Sequence, residues 1–236
     1  MTRPILIDLF CGEGGAAWGY NRAGWEVIGV DIRPQPRYPF AFIQMDCLKV
    51  DQRLLALSSA IHASPPCQGM TEMNNDKSRH VNLIPQTRAM LRKSGRPFVI
   101  ENVRGAREHL IHPVSLFGTM FDDHMHTSKG VRYNLSRERL FETNWNLTPQ
   151  YDGGGDFPIA NVIGGHLRCR DAAHRTGKGT GRTVDFPGED RPTLARQLMG
   201  MPWATMNGMS EAVPPSYTEW IGRQMMRNLI VRETFG

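Results

Sequence analysis

Cysteine is scarce in this chain and scattered. The four residues, Cys11, Cys47, Cys67 and Cys169, lie far apart with no CxxC pair, which argues against a zinc ribbon or a disulfide framework and fits a reducing compartment. Long apolar runs are also missing. Nothing approaches the roughly 18 residues of a membrane span, and the N-terminal MTRPILIDLF lacks the apolar core of a secretion signal, so the expectation is a cytoplasmic protein with no membrane contact. Internal repeats are absent. Acidic residues are outnumbered, 23 against 28 Lys and Arg, a net charge of +5 that is compatible with an anionic partner without proving one. With 236 residues, 40% hydrophobic and 22% charged, the chain has the balance of a folded protein with one sizeable core and, at most, a small appended lobe.

Short apolar runs alternate with helical segments over the first hundred residues, the pattern of a parallel sheet covered by helices. PILIDLF (4–10), WEVIGVD (25–31), FAFIQMD (40–46), AIHAS (60–64) and RPFVIENV (96–103) read as strands. GGAAWGYNRAG (14–24) reads as a helix closed by Gly24, and LIPQTRAMLRKSG (83–95) as another. Polar residues gather at the strand C-termini: Phe10 to Gly15, Asp31, Asp46, Cys67 and Glu101. In an open α/β sheet that edge binds ligands. Beyond about residue 145 the texture turns Gly-rich and basic, suggesting a loop-rich insert. Regular patterning returns at RPTLARQLMGMPW and at PPSYTEWIGRQMMRNLIVRE, a closing helix. The expected fold is therefore α/β, with a catalytic unit over 1–144, an insert over 145–190 and a segment over 191–236 that rejoins the first unit.

DLFCGEGG follows a strand and opens a helix, so its glycines let backbone approach a ligand while the helix N-terminus favours negative charge. A tight turn without a ligand would look the same. An acid ending the next strand, Asp31, can accept from both ribose hydroxyls of an adenosyl group, and Asp46 can meet an adenine amino group, although either acid can equally cap a helix. SPPCQGM places Cys67 on the same edge after two stiffening prolines. A lone cysteine after a strand is more often a buried small hydrophobe. His166, Cys169 and His174 make a poor zinc signature, so no metal is expected; His124 and His126 read as loop decoration.

FCGEGG, PPCQG, ENV and RER, in this order, resemble the motif series of cytosine-C5 DNA methyltransferases. The resemblance implies a Rossmann-like, S-adenosylmethionine-dependent methyltransferase sheet with helices on both faces, and methyl transfer to C5 of a flipped cytosine in double-stranded DNA. It implies Cys67 as nucleophile at C6, Glu101 as the carboxyl at N3, and Arg137 and Arg139 as side chains that touch the cytosine and hold Glu101. The two arginines are expected on one face of a strand. The cofactor would meet Phe10, Cys11, Gly12, Glu13, Gly14, Gly15, Asp31, Ile32, Asp46, Cys47, Pro66 and Val213. DNA would meet Gln68, Lys77 and Arg79 in the loop after the nucleophile, and Arg168, Arg170, Arg175, Lys178 and Arg182 in the insert, which is short for a target-recognition region and suggests a site of few base pairs. Two departures stand out: Ser210 and Glu211 replace the usual Gly-Asn before the final Val-Pro pair, and Leu135 replaces the Gln before the first Arg. Monomeric action on DNA is expected, with a cognate restriction nuclease as a candidate partner. The rival readings are methylation of RNA cytosine, transfer of a modified one-carbon group, a catalytically silent DNA-binding relative, and a small-molecule Rossmann-type enzyme.

Overall fold

A computed structural model describes residues 2–66, 82–151, 157–170, 186 and 188–235, with backbone only for 170 and 230–235. Five apolar runs form parallel strands: β1 (Ile5–Leu9), β2 (Glu26–Asp31), β3 (Ala41–Gln44), β4 (Ala60–Ala63) and β5 (Phe98–Asn102). Between and around them lie α1 (Gly15–Arg22), α2 (Gln52–Leu57) and α3 (Ile84–Ser94). Two further strands, β6 (Val114–Leu116) and β9 (Arg139–Thr143), complete a seven-stranded sheet in the order β3-β2-β1-β4-β5-β9-β6. β9 runs antiparallel to both of its neighbours, β5 and β6. The sheet reverses direction at β1, where β2 lies on one side and β4 on the other, which is where an open α/β sheet leaves a crevice.

Side-chain alternation along each strand builds a three-layer core. Leu6, Val27, Ala60, Val99 and Phe141 face Ala17 and Tyr20 of α1 and Tyr217 and Ile221 of the last helix, α6 (Pro215–Phe235). On the other side Ile7, Leu9, Val30, Ile61, Ile100 and Leu140 face Leu55 of α2 and Ile84 and Leu91 of α3. Arg88 of α3 grips Glu142 of β9 in a buried pair, Nε to Oε1 at 2.6 Å and Nη2 to Oε2 at 2.7 Å. The expected α/β fold with helices on both faces is thus observed.

Among the described residues, the stretch anticipated as a loop-rich insert contributes two strands to a second sheet. β7 (His124–His126), β8 (Arg132–Leu135), β10 (Ile159–Ile163) and β11 (His166–Arg170) form a second sheet in the order β11-β10-β8-β7. β10 and β11 are antiparallel around Gly164 and Gly165, whose φ values of 57° and 75° suit a tight hairpin turn. His124 and His126 therefore sit on a strand. This sheet draws on residues before 145, and its apolar face is covered by α4 (Arg191–Met199) and α5 (Met206–Glu211), through Leu194, Leu198, Met199 and Met209. The second sheet thus takes strands from both sides of residue 145, and α6 packs against the large sheet.

α6 packs on α1 at very short range. The Thr218 hydroxyl donates to the Ala16 carbonyl at 2.9 Å, and the Trp25 indole donates to the Gly222 carbonyl at 3.1 Å. A Cβ on Gly19 would fall 2.0 Å from the Pro215 carbonyl oxygen and 2.1 Å from Thr218 Oγ1. Gly19→Ala is therefore expected to force the helices apart and cost about 3 kcal/mol, read as a lower urea midpoint. An unchanged midpoint would contradict the close crossing.

Candidate active site

The C-terminal edge of the large sheet assembles residues from widely separated parts of the chain. β1 ends in Phe10, which adopts a left-handed φ of 59°, and Gly12 and Gly14 follow at 50° and 87°. Three positive φ values turn the chain sharply into α1. A Cβ on Gly12 would meet nothing within 4 Å, whereas one on Gly14 would strike Pro39 and Tyr38. Open space thus lies beside the turn at Gly12, and the turn is packed from behind at Gly14.

Asp31 clasps this turn to β2. Its Oδ2 accepts from Gly12 N at 3.1 Å and its Oδ1 from Arg33 N at 2.9 Å. Each carboxylate oxygen has a second acceptor site for a ligand hydroxyl. Ile32 beside it is 64% exposed, an apolar surface at the crevice. Asp46 caps the turn at 47–49, its Oδ1 accepting from Leu48 N at 3.0 Å. Val213 is buried in the core, and its carbonyl lies where a Cβ on Gly15 would be, so those two residues pack on each other.

Three of the residues expected to meet a cofactor have side chains engaged within the protein. Glu13 directs its carboxylate at α5, accepting from Thr205 N and Thr205 Oγ1, each at 2.7 Å. Cys47 is buried, its sulfur accepting from Phe10 N at 3.1 Å and donating to the Val30 carbonyl at 3.3 Å; burial pushes its thiol up to about 12. Cys11 is likewise buried with its thiol pushed up. Motif membership does not reveal which way a side chain turns, and here the three serve the turn itself.

Glu101 is the chemically distinctive residue. It sits in β5, 5% exposed, opposite Phe141 of β9. Two residues before Phe141, Arg139 falls on the same face, its Nε 2.9 Å from Glu101 Oε1. Burial raises the Glu101 carboxyl above its ordinary value; Arg139, the Ser64 hydroxyl and Arg137 each pull it partly back. The next residue, Asn102, donates to the Pro65 carbonyl at 2.9 Å, tying the end of β5 to the segment that runs through the exposed Pro66 into Cys67. Cys67, Gln68, Lys77 and Arg79 lie outside the described residues.

Arg137 departs from expectation. It lies in the link between β8 and β9, not on a strand with Arg139. Its guanidinium bonds the Val162 carbonyl at 2.8 Å, Asn161 Oδ1 and the Ala212 carbonyl at 3.1 Å, and the Ser210 carbonyl. With four donors directed at protein acceptors it serves as a joint between the two sheets. Ser210, one of the departures noted above, accepts from Gly165 N at 2.7 Å, pinning α5 to the β10–β11 turn.

Arg168 on β11 borders a cleft with His166 and Arg191, a basic surface suited to phosphate. The side chain of Arg170 and all of Arg175, Lys178, Arg182 and His174 lie outside the described residues. Among the described residues there is no cluster that could hold a metal, and no helix is long and apolar enough to cross a membrane. Sequence reasoning missed Tyr20, His62 and Ser64 behind Glu101; the alternation of His62 and Ser64 within an apolar strand was the available signal.

No protein-family profile matches the chain. It is 29% identical over 124 residues to the Type II methyltransferase M.XorII of Xanthomonas oryzae pv. oryzae, a stretch covering 44% of this chain and 29% of that protein. Among solved structures it resembles a protein described as a prophage-encoded DNA modification methyltransferase (E. coli), with a TM-score of 0.58 and 16% identity over 96% of this chain and 99% of that one. It also resembles the S. pombe Dnmt2 methyltransferase, with a TM-score of 0.59 and 11% identity over 97% of this chain and 99% of that one. The Entamoeba histolytica methyltransferase EhMeth gives 0.52 and 11% over the same shares. The chain has the mixed α/β fold of these methyltransferases, a large sheet flanked by helices.

Proposed function

We propose that this chain is an S-adenosylmethionine-dependent DNA methyltransferase that modifies C5 of a flipped cytosine, with Cys67 as nucleophile. The observation that carries the reading is Glu101: an enclosed carboxyl with a raised pKa, held by Arg139 at 2.9 Å and bound through Asn102 to the segment leading into Cys67. The similarity to M.XorII supports a DNA substrate.

The turn suits an adenosyl ligand. Open space at Gly12 would take the methionine part, the spare acceptor sites of Asp31 the ribose, and the exposed apolar face of Ile32 with the carboxylate of Asp46 the adenine. When bound, S-adenosylmethionine supplies an electrophilic methyl group on a sulfonium. The residues of the chain make C5 ready for it. Cys67 adds as a thiolate to C6, and the ring electrons move toward N3. Protonated Glu101 meets that charge, the role for which a carboxyl needs a desolvated pocket. Arg139 fixes the carboxyl in place. Once C5 has taken the methyl and lost its proton to water, the Cys67 thiolate departs and C5–C6 regains its double bond. Arg168, with His166 and Arg191 beside it, would bind backbone phosphate.

DNA carrying 5-fluorocytosine cannot release the C5 substituent, so incubation with the methyl donor is expected to trap a covalent protein–DNA adduct. Cys67→Ser should give none. An equal adduct with Cys67→Ser, or transfer of labelled methyl to tRNA but not DNA, would overturn the assignment. Glu101→Gln is expected to slow methyl transfer by about a hundredfold with the donor KM unchanged. In the wild type the active form carries a protonated carboxyl of raised pKa, so activity persists above the pH at which a free glutamate ionises and falls as pH rises through the Glu101 value. A rate that instead falls across the ordinary carboxylate range would contradict the role.

A further inference from the structure

The face of the sheet that carries Glu101 also holds polar side chains for which neither the fold nor the proposed reaction accounts. Tyr20 of α1 and His62 of β4 are both fully buried among Leu6, Val99 and Phe141. The Tyr20 hydroxyl lies 3.0 Å from His62 Nδ1, and His62 Nε2 lies 2.9 Å from Ser64 Oγ. Ser64 follows Ala63, the partner of Ile100 in the β4–β5 register, so it stands beside Glu101, whose carboxyl it pulls down. A row of apolar side chains would fill the same space, since replacing both partners of a buried hydrogen bond is often nearly neutral. Instead the row forms a line of hydrogen bonds from Tyr20 through His62 to Ser64, beside the carboxyl.

We infer that Tyr20, His62 and Ser64 are positioning residues for Glu101: the Tyr20 hydroxyl holds His62 as its Nε2–H tautomer, which turns the Ser64 proton toward the carboxyl. The inference rests on the reading of Glu101 given above. Its direction follows from counting protons. Burial lowers His62 to about 3, so the ring is neutral and carries one N–H. Burial also keeps the Tyr20 phenol protonated, able to donate to Nδ1. The ring proton then sits on Nε2 and occupies an acceptor site on Ser64 Oγ, and the serine proton is left for Glu101. The opposite tautomer would draw the Ser64 proton to the imidazole and set a bare oxygen against the carboxylate.

Ser64 and Arg139 thereby approach Glu101 from β4 and β9, and both oppose the upward push of burial. Arg137, from the link between the sheets, adds to them; Asp8 of β1, itself fully buried, is the acid facing the same space. Burial and these partners thus oppose each other at one carboxyl, whose protonation they set jointly.

The test uses the full chain with 13C-labelled glutamate carboxyls and 15N-labelled histidine, the Glu101 signal being assigned by its loss in Glu101→Gln. The wild type should show His62 protonated at Nε2. Ser64→Ala should raise the Glu101 titration midpoint, Ser64→Thr should restore it, and Tyr20→Phe should free the tautomer and raise the midpoint in part. In the same proteins Ser64→Ala is expected to lower kcat for DNA methylation about tenfold with donor KM unchanged, its alkaline limb moving with the midpoint. A purely structural serine would leave the midpoint where it is. An unmoved midpoint in Ser64→Ala, or a wild-type His62 protonated at Nδ1, overturns the inference. A shifted midpoint in a wild type and variants that never methylate DNA would support the positioning line and overturn the proposed reaction.

Discussion

A carboxyl withdrawn from water must be given partners, or desolvation alone decides its orientation and its protonation. The structure meets this demand at Glu101 with groups from three other strands and helices: Arg139 from β9, Ser64 past the end of β4, and through His62 the hydroxyl of Tyr20 on α1. Inserting β9 antiparallel between β5 and β6 is what makes this possible. A strand next to β5 puts Arg139 diagonally across from Glu101 on the same face, at a separation that no loop would hold as firmly.

The same strand connects the carboxyl to the second sheet. β9 is entered from the link that contains Arg137, whose guanidinium is anchored to Asn161 and Val162 of β10 and to Ser210 and Ala212 around α5. The Tyr217 hydroxyl of α6 donates to the Arg137 carbonyl. The second sheet is thus joined to the strand that carries Arg139 by one short link anchored through Arg137. In the proposed reaction this would join the basic surface at Arg168 to the chemistry, so that engagement of DNA and the placing of the carboxyl share a mechanical frame. The Gly-rich turn is buttressed in the same manner. Glu13 is clasped to Thr205, and Gly15 is packed under Val213, so residues near both ends of the chain shape the crevice.

The parallel half of the fold was readable because each strand is an apolar run ending in an acid or a turn, and Glu101 was readable because a carboxyl directly after FVI has nowhere to go but the sheet edge. The second sheet was not. His124–His126 and Arg132–Leu135 are three and four residues long, with too few alternations to register, and Gly164–Gly165 reads in sequence as loop as readily as the turn of a hairpin. Side-chain direction was also hidden. Glu13 and Arg137 sit in motifs as expected, yet long side chains reach whatever acceptor or donor the tertiary structure offers, here Thr205 and a ring of carbonyls. His62 was lost for the converse reason, since one polar residue in an apolar strand leaves the periodicity intact.

Those buried contacts also narrow the choice of nucleophile. A thiol attacks as thiolate, which requires a pKa lowered toward neutrality or at least left alone. Cys47 is pushed up to about 12 and Cys11 is raised as well, both enclosed beneath the Gly-rich turn. Cys169 is 3% exposed in the core of the second sheet, on the strand that carries Arg168. The three cysteines among the described residues are thus packing groups, whereas the nucleophile proposed above, Cys67, lies outside the described residues. The exposed Pro66 hands the chain on to it from the strand end that Asn102 binds to β5.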